Sequence, residues 1–554
     1  MAQDFKFGEW NHKVLGNTWK VNEDGTWYLP ERTLGWGILG WCSSYLKNED
    51  GEPWRFTNEQ ARFVLWWYAV DERGRFVYRT GVLQRLKGFG KDPVAAALAL
   101  VELLGPVRFS HWGVDGQPVG KPQRSPWVTV NAVSQAQTRN TSNVLKWMCS
   151  DKLIKEFDMT IGVEQAVALK GRAHLVFSAS SYRAVEGNRP TFSILNETQH
   201  WVEGNHGVLM FETLEGNLTK SPNGTARMLS ITNAYMPGED SVAERQRYAY
   251  MEQEELRRDF PDMPQYGGLI YYDSLEADPA APTDPDTVLE IAQQVRGDSV
   301  WLDPEAIVGS FMNRSIPVSR SRRMFYNQVV AKEDALFSEA EWDACRLRDK
   351  DTMDLAQGTE IVLGFDGGKT DDATAIVAKR LSDGCVFPLM VWERPPKEVD
   401  PDWEIDREEV DAYIHYYFRV FRVKAFYADV ALWESYIDSW SNTYRNQLLI
   451  KASPKSPIGW DMRGGLKRIT AENESVMDKV FAGSFLHNGN RILRKHALNT
   501  RRRENRFGSS FGKESRESPL KIDAYAAMIL AEMAYRDLNE SGKLKRRTGL
   551  VHAY

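Results

Sequence analysis

The sequence predicts two α/β domains in tandem, and three observations carry that reading. Apolar strands and amphipathic helices alternate from about residue 60 to 235, the rhythm of a parallel sheet with helices on its faces. A new pattern of strand, acidic turn, strand and strand begins at about residue 359. The 554 residues also exceed what one compact core holds. The first domain is placed at 1–340, a linker at 341–358 and the second domain at 359–554.

Within the first domain, strands are expected near 128–132, 173–177, 191–195 and 227–232. The stretch 273–286, DSLEADPAAPTDPD, reads as an exposed loop, and the charged stretch 333–354 as a helix. In the second, IVLGFD is followed by strands at 373–379, 385–392 and 424–428, with helices at 408–419 and 522–536. Neither internal repeats nor coiled-coil heptads are evident.

Composition narrows the class. Cys42, Cys149, Cys345 and Cys385 are scattered without a CxxC pair, which points to a reducing compartment and away from a zinc or disulfide framework. The start MAQDFKFGEW lacks the blocks of a signal peptide, and the most apolar helix candidate, 94–104, is short and interrupted by Glu102, so no membrane association is expected. A net charge of -6 averages over local tracks. From Arg491 to Arg516, nine Lys and Arg stand against two Glu, a composition suited to a nucleic-acid backbone.

The stretch RLKGFGKD, Arg85 to Asp92, follows an apolar strand and precedes the helix former VAAALALVELLG. A phosphate-binding P-loop is GxxxxGK followed by Ser or Thr, but here Arg85 stands at the first glycine and Asp92 at the hydroxyl residue. Asp92 is expected as helix N-cap, with Pro93 at the first helical position. In an ATP site, Gly88, Gly90 and Lys91 cradle phosphates, Arg85 and Lys87 add positive charge, and Asp92 faces Mg²⁺. The run TFSILNETQH ends a buried strand at Asn196-Glu197, where a Walker B pair would hold Mg²⁺ and activate water through Glu197. Asn196 supplies a neutral oxygen there, so Asp92 is expected to carry the charge that Asn196 lacks. Ser230, Thr232 and Asn233 end a third strand where they can sense the γ-phosphate, and Gln60 opens a helix where it can meet an adenine edge.

In the second domain, Asp366 and Asp429 end two strands, and Asp523 lies near the start of a late helix. Hard oxygen donors of this kind hold Mg²⁺ or Mn²⁺, and two such ions support phosphodiester hydrolysis. The order of the three aspartates matches an RNase H-like nuclease core, with Asp371 and Asp372 as turn residues nearby. Within the basic run, Arg494, Lys495, Arg501, Arg502, Arg503 and Arg506 are candidate DNA contacts, and Lys521 a candidate contact to the scissile phosphate.

These segments together resemble the large terminase subunit of tailed bacteriophages, through RLKGFGKD, HLVFSASSYRAVEGNRPTFSILNETQHW, LSITNA, LGFDGG, YADV and KIDAY. The resemblance implies a RecA/ASCE-like P-loop ATPase with an N-terminal extension, followed by an RNase H-like nuclease. Lys87 takes the place of the family's basic residue ahead of GK, Glu197 that of its catalytic glutamate, Ser230 to Asn233 that of its coupling motif, and Asp366, Asp429 and Asp523 those of its nuclease aspartates. Asp92 and Asn196 depart from the family's Ser or Thr and Asp. An arginine finger is implied, with Arg139 and Arg183 both candidates. Further implied are ATP, Mg²⁺ or Mn²⁺, double-stranded DNA, a portal protein, a small terminase subunit and a homo-oligomeric ring on the procapsid in the host cytoplasm. The alternatives are a nonenzymatic nucleotide-binding assembly protein and a host repair or restriction translocase-nuclease; the latter calls for a second RecA-like domain, which the sequence lacks.

Overall fold

A computed structural model describes residues 3–7, 9–178, 186–221, 225–260, 268–332, 334–348, 353–370, 372–395, 400, 402–515, 518 and 520–544. The chain divides into two compact units. One comprises Met1–Met236 with Asp240–Val330, the other Pro237–Glu239 with Ala331–Tyr554.

The first unit is built on a ten-stranded sheet. Its centre runs Leu269–Glu276, Tyr78–Gln84, Arg227–Thr232, Phe192–Asn196, Trp127–Asn131, Ala173–Ser178, all parallel. Strands Gln3–Phe7 and Trp10–Leu15 complete one edge in antiparallel fashion, and Gln165–Ala168 and Thr160–Ile161 the other. Parallel strands are covered on both faces and so tolerate no polar face. Accordingly every residue of Phe192–Asn196 and Arg227–Thr232 is buried. Helices Lys91–Leu104, Gln135–Met148, Gly207–Leu218 and Val242–Asp259 follow the four strands Tyr78–Gln84, Trp127–Asn131, Phe192–Asn196 and Arg227–Thr232. The candidate residues of this unit therefore gather at the carboxyl ends of three adjacent strands, where open α/β sheets bind ligands.

Two expectations are corrected here. The stretch 273–286 is not an exposed loop throughout: strand Leu269–Glu276 runs into it, and Asp273, Ser274, Leu275 and Glu276 are buried. Arg85 beside Asp273 and Arg247 beside Glu276 supply the charge that allows a strand with acidic residues to sit inside. Asp92 is not the helix cap either, because the helix begins at Lys91 after Gly90, whose left-handed backbone ends the turn.

The second unit has a five-stranded sheet in the order Val386–Trp392, Thr374–Arg380, Glu360–Gly367, Arg422–Asp429, Gly459–Trp460. The first three are antiparallel and the last two run parallel to Glu360–Gly367, the order and directions of an RNase H-like sheet. Helix Asp523–Glu540 crosses it at Gly364, where a Cβ would lie 2.0 Å from the Ala527 carbonyl oxygen. Glycine is therefore what lets helix and strand meet backbone to backbone.

The basic run is also more ordered than a loop, forming helix Arg491–Asn499 and a hairpin of Arg501–Asn505 with Gly508–Gly512. Only Glu339–Ala344 of the stretch 333–354 is helical among the described residues, opened by a Ser338–Glu341 capping box. The division between units falls at Val330 and Ala331, ahead of the expected 341–358 linker. Trp342, inside that expected linker, is fully buried and packs on Phe337, Phe485 and His487. Among the described residues no helix is long and apolar enough to cross a membrane. Trp342→Ala is expected to cost about 3–5 kcal/mol in chemical denaturation; a change within the noise would return this segment to the role of linker.

Candidate functional site

The phosphate-loop candidate turns on Gly88 at φ +89° and Gly90 at φ +94°, both in left-handed backbone. Lys91 is 7% exposed, and its ammonium donates to the carbonyls of Arg85 and Leu86 at 3.0 Å each and to Asn233 Oδ1 at 2.5 Å. Its charge thus sits on the inner side of the loop. Burial pulls this ammonium down to about 8, with Glu197 and Asp92 opposing the shift. Lys87 is exposed.

Arg85 occupies a different place from that expected of a phosphate ligand. It is 1% exposed, ion-paired with Glu59, 3.7 Å from Asp273, and stacked over Trp19 and Phe89 at 4.7 and 4.3 Å. Its charge is spent beneath the loop, and burial raises both Glu59 and Asp273 above the usual carboxylate range against the pull of Arg85. Gln60 completes a capping box with Thr57, and its Nε2 lies 3.4 Å from the position a Cβ on Gly90 would take.

Glu197 stands in left-handed backbone directly after strand Phe192–Asn196. Its carboxylate accepts from Gln199 Nε2, while Gln199 Oε1 accepts from Thr232 Oγ1 at 2.7 Å and from the Asn233 N–H at 3.3 Å. Asn233 Oδ1 in turn holds Lys91. A hydrogen-bonded chain, passing through the Asn233 backbone N–H, therefore runs from the loop lysine to the candidate general base. Gln199 was not singled out from the sequence, since a glutamine in a short polar turn carries no pattern of its own.

Asp92 and Asn196 meet directly. Thr141 Oγ1 donates to Asp92 Oδ1 at 2.9 Å, and Asn196 Nδ2 reaches the same oxygen at 3.4 Å. Burial raises the Asp92 carboxyl, the Thr141 hydrogen bond opposes this, and Glu197 adds to the rise. Asn196 Oδ1 is buried without a hydrogen-bond partner among the described residues. The pair thus offers one carboxylate and one orphaned hard oxygen, a donor set that fits Mg²⁺. Ser230 is fully buried with its hydroxyl unpartnered among the described residues. Arg139 is exposed on helix Gln135–Met148, and Arg183 lies outside the described residues.

In the second unit, Asp366 and Asp429 stand one residue past the paired Phe365 and Ala428, at the carboxyl ends of adjacent parallel strands. Asp366 shares a strand face with Gly364 two residues earlier, the face that helix Asp523–Glu540 covers. Asp523 Oδ2 accepts from the Ala373 N–H at 3.3 Å, while Glu532 of the same helix pairs with Lys379 farther along that strand. The helix consequently runs antiparallel to Glu360–Gly367 and brings Asp523 to the end where Asp366 sits. Burial, then Asp523, Asp429 and Asp372, drive the Asp366 carboxyl well above its ordinary range. Burial also raises Asp429 and Asp523, with Lys513 and His496 restraining the latter.

Donor chemistry here fits a hard divalent cation, but spacing does not form a ready cage: among the described residues no three His, Cys, Asp or Glu are grouped to hold an ion. Asp371 lies outside the described residues, and Asp372 is exposed and ion-paired with Lys513. Two neighbours escaped the sequence reading. Lys513 places an ammonium beside the carboxylates, and His496 accepts the Ala524 N–H at 2.9 Å on Nδ1 while Nε2 meets Glu393 Oε1 at 2.7 Å. The backbone donor fixes the His496 proton on Nε2.

The DNA-contact set is narrowed. Arg494 is 5% exposed and paired with Asp343 and Glu339, Lys495 with Glu393 at 2.7 Å, and Arg501 is 1% exposed beside Asp334. All three are engaged in ion pairs, with Arg494 and Arg501 buried and Lys495 half-buried. Arg503 is shared between Asp334 and the carbonyls of Lys513 and Glu514, whereas Arg502 and Arg506 are exposed. The Lys521 carbonyl accepts from Asn499 at 3.2 Å.

A pH dependence follows from Lys91. The ammonium is the form that attracts phosphate, so ADP affinity should hold below pH ~8 and fall about tenfold per unit above it. Calorimetric titration of the free protein checks this, and affinity rising through that range would contradict it. Lys91→Arg should remove the decline.

No protein-family model matches the chain. The gene 13 protein of Mycobacterium phage L5 is 39% identical over 96% of each chain, and the gene 13 protein of Mycobacterium phage D29 is 40% identical over 98% of this chain and 97% of its own. Among solved structures, the HK97 bacteriophage large terminase is 16% identical, covering 90% of this chain and 99% of that one with a TM-score of 0.46. A large terminase from a thermophilic bacteriophage is 12% identical over 88% and 100%, with a TM-score of 0.31. The magnesium-bound large terminase nuclease of thermophilic phage G20c is 11% identical over 36% and 97%, with a TM-score of 0.26. On the identity and coverage of the two mycobacteriophage relatives, the chain belongs to the family of the gene 13 proteins.

Proposed function

We propose that the chain is a phage terminase large subunit, which uses ATP hydrolysis to move double-stranded viral DNA into a procapsid and cuts concatemeric DNA with a metal-dependent endonuclease. The observation that carries this reading is the hydrogen-bonded relay from Lys91 through Asn233 and Gln199 to Glu197, on a chain whose strand-end Asp366 also feels the charges of Asp523 and Asp429.

In the first unit, Gly88, Gly90 and Lys91 bind the phosphates, and Lys91 offsets their charge as it leaves the loop carbonyls. Glu197 takes the proton of the attacking water while Gln199 orients its carboxylate. Thr232 and Asn233 connect that carboxylate to the strand carrying the coupling segment. Asp92 and Asn196 would hold Mg²⁺, which supplies neutralisation of charge on the transferring phosphoryl group. Arg139 and Arg183 are both finger candidates. In the second unit, Asp366, Asp429 and Asp523 would hold one or two divalent ions, Mg²⁺ or Mn²⁺, which supply an activated water and stabilise the leaving oxygen. His496 orients the first turn that carries Asp523. Arg502, Arg503 and Arg506 follow the DNA backbone, and Lys521 meets the scissile phosphate. A ring of copies on a portal protein, fed by a small subunit that selects DNA, completes the proposed assembly in the host cytoplasm.

The tests separate the two chemistries. Glu197→Ala should lower DNA-stimulated ATP turnover by at least about a hundredfold with nucleotide binding retained. Asp366→Ala should abolish Mn²⁺-dependent plasmid cleavage and leave ATP turnover intact. A wild-type protein that binds nucleotide without turnover, with DNA and portal present, would point instead to an assembly protein. Cleavage that survives Asp366→Ala would remove the aspartates from the reaction.

A further inference from the structure

The turn between helices Pro285–Arg296 and Pro304–Met312 is clamped to the phosphate loop from several directions. Asp298 Oδ2 accepts from the Glu59 N–H at 2.8 Å, and the Asp298 N–H donates back to Glu59 Oε1 at 3.1 Å. Ser299 Oγ donates to the Phe89 carbonyl at 3.1 Å, and Arg296 holds the Leu302 carbonyl at 2.5 Å. Gly297 adopts φ +52°, and a Cβ there would lie 2.0 Å from Glu59 Oε1. Leu302 fills the space beside Gly88, where a Cβ would meet Leu302 Cδ2 at 2.4 Å.

The aromatic side chain of this clamped turn stays open. Trp301 is 54% exposed, although its indole N–H donates to the Gly88 carbonyl at 2.8 Å and its ring lies 3.1 Å from the position of a Cβ on Gly90. An indole fixed at its one polar atom presents π surface to a ligand, which suits a flat aromatic ring. Beside it, Gln60 is 3% exposed with its Oε1 accepting from the Thr57 N–H, and its Nε2 lies 3.4 Å from the same Cβ position on Gly90. A stacking surface and an edge donor thus flank a loop that holds a lysine for phosphate. The ligand class carrying both a flat ring and phosphates is a nucleotide.

We infer that Trp301 is the base seat of the loop, stacking the nucleobase while Gln60 meets its edge; this rests on the loop being a nucleotide site. Stacking tolerates any base, so the seat adds affinity for nucleotides over base-free phosphates. The glycines at 88 and 90 acquire a second reason, since side chains there would push Leu302 and Trp301 away from the loop.

Calorimetric titration of wild type, Trp301→Ala and Trp301→Phe with ADP and with pyrophosphate tests the seat. The wild type should bind ADP more tightly than pyrophosphate. Trp301→Ala should weaken ADP about tenfold and leave pyrophosphate unchanged, and Trp301→Phe should keep most of the ADP advantage. Equal weakening of both ligands would overturn the seat, because the indole would then only prop the loop. Unchanged ADP affinity in Trp301→Ala would overturn it too, and an accompanying change in sedimentation would make the indole a contact between copies. Pyrophosphate bound by the wild type with no ADP advantage overturns the seat alone; neither ligand bound overturns the nucleotide site with it.

Discussion

The buried ion pair of Arg85 with Glu59 is the constraint on which the first unit's site depends. Arg85 ends strand Tyr78–Gln84 and Glu59 lies in the first turn of helix Asn58–Trp67, so the pair joins the strand that delivers the loop to the helix that delivers Gln60. The second oxygen of Glu59 holds the Asp298 turn and with it Trp301. Asp273 brings in the neighbouring strand. Removing one partner of such a pair leaves a charge in a dry interior, at a cost of about 3–5 kcal/mol. The departure from the usual glycine at this position therefore has a structural cause: the residue is an anchor for three elements.

Both units bring carboxylates close together. Around the loop, Asn196 touches Asp92 directly. Glu197, whose charge adds to the rise of Asp92, takes an amide donor from Gln199. In the second unit, burial and then the charges of Asp523, Asp429 and Asp372 leave Asp366 reluctant to ionise. Lys513 is the cation that relieves part of this.

Much of the fold was legible because parallel strands and their helices write long apolar periods. The four expected strands of the first sheet match 127–131, 173–178, 192–196 and 227–232 to within a residue or so. What failed was decided by distant partners. Asp273 to Glu276 looks like loop by composition and is a strand because Arg85 and Arg247 meet it from elsewhere in the sequence. Arg494, Lys495 and Arg501 look like a solvated track and are drawn into ion pairs because Glu339, Asp343, Glu393 and Asp334 lie against them. Trp342 is likewise core inside the stretch expected as the linker 341–358. At the sites, strand-end residues were readable from position, as with Glu197, Asp366 and Asp429. Gln199, His496 and Lys513 act through hydrogen bonds and charge between segments, which leave no local pattern.

Under the proposed function, the loop at 85–92 receives a nucleotide with Lys91 as its phosphate ligand and Arg85 as its buried support. A crystal structure with ADP and Mg²⁺ is the decisive measurement. The β-phosphate is expected against the loop, with the Lys91 ammonium moved from the Arg85 and Leu86 carbonyls to phosphate oxygens and Arg85 still on Glu59. A diphosphate bound elsewhere, or Lys91 unmoved on those carbonyls, would contradict it.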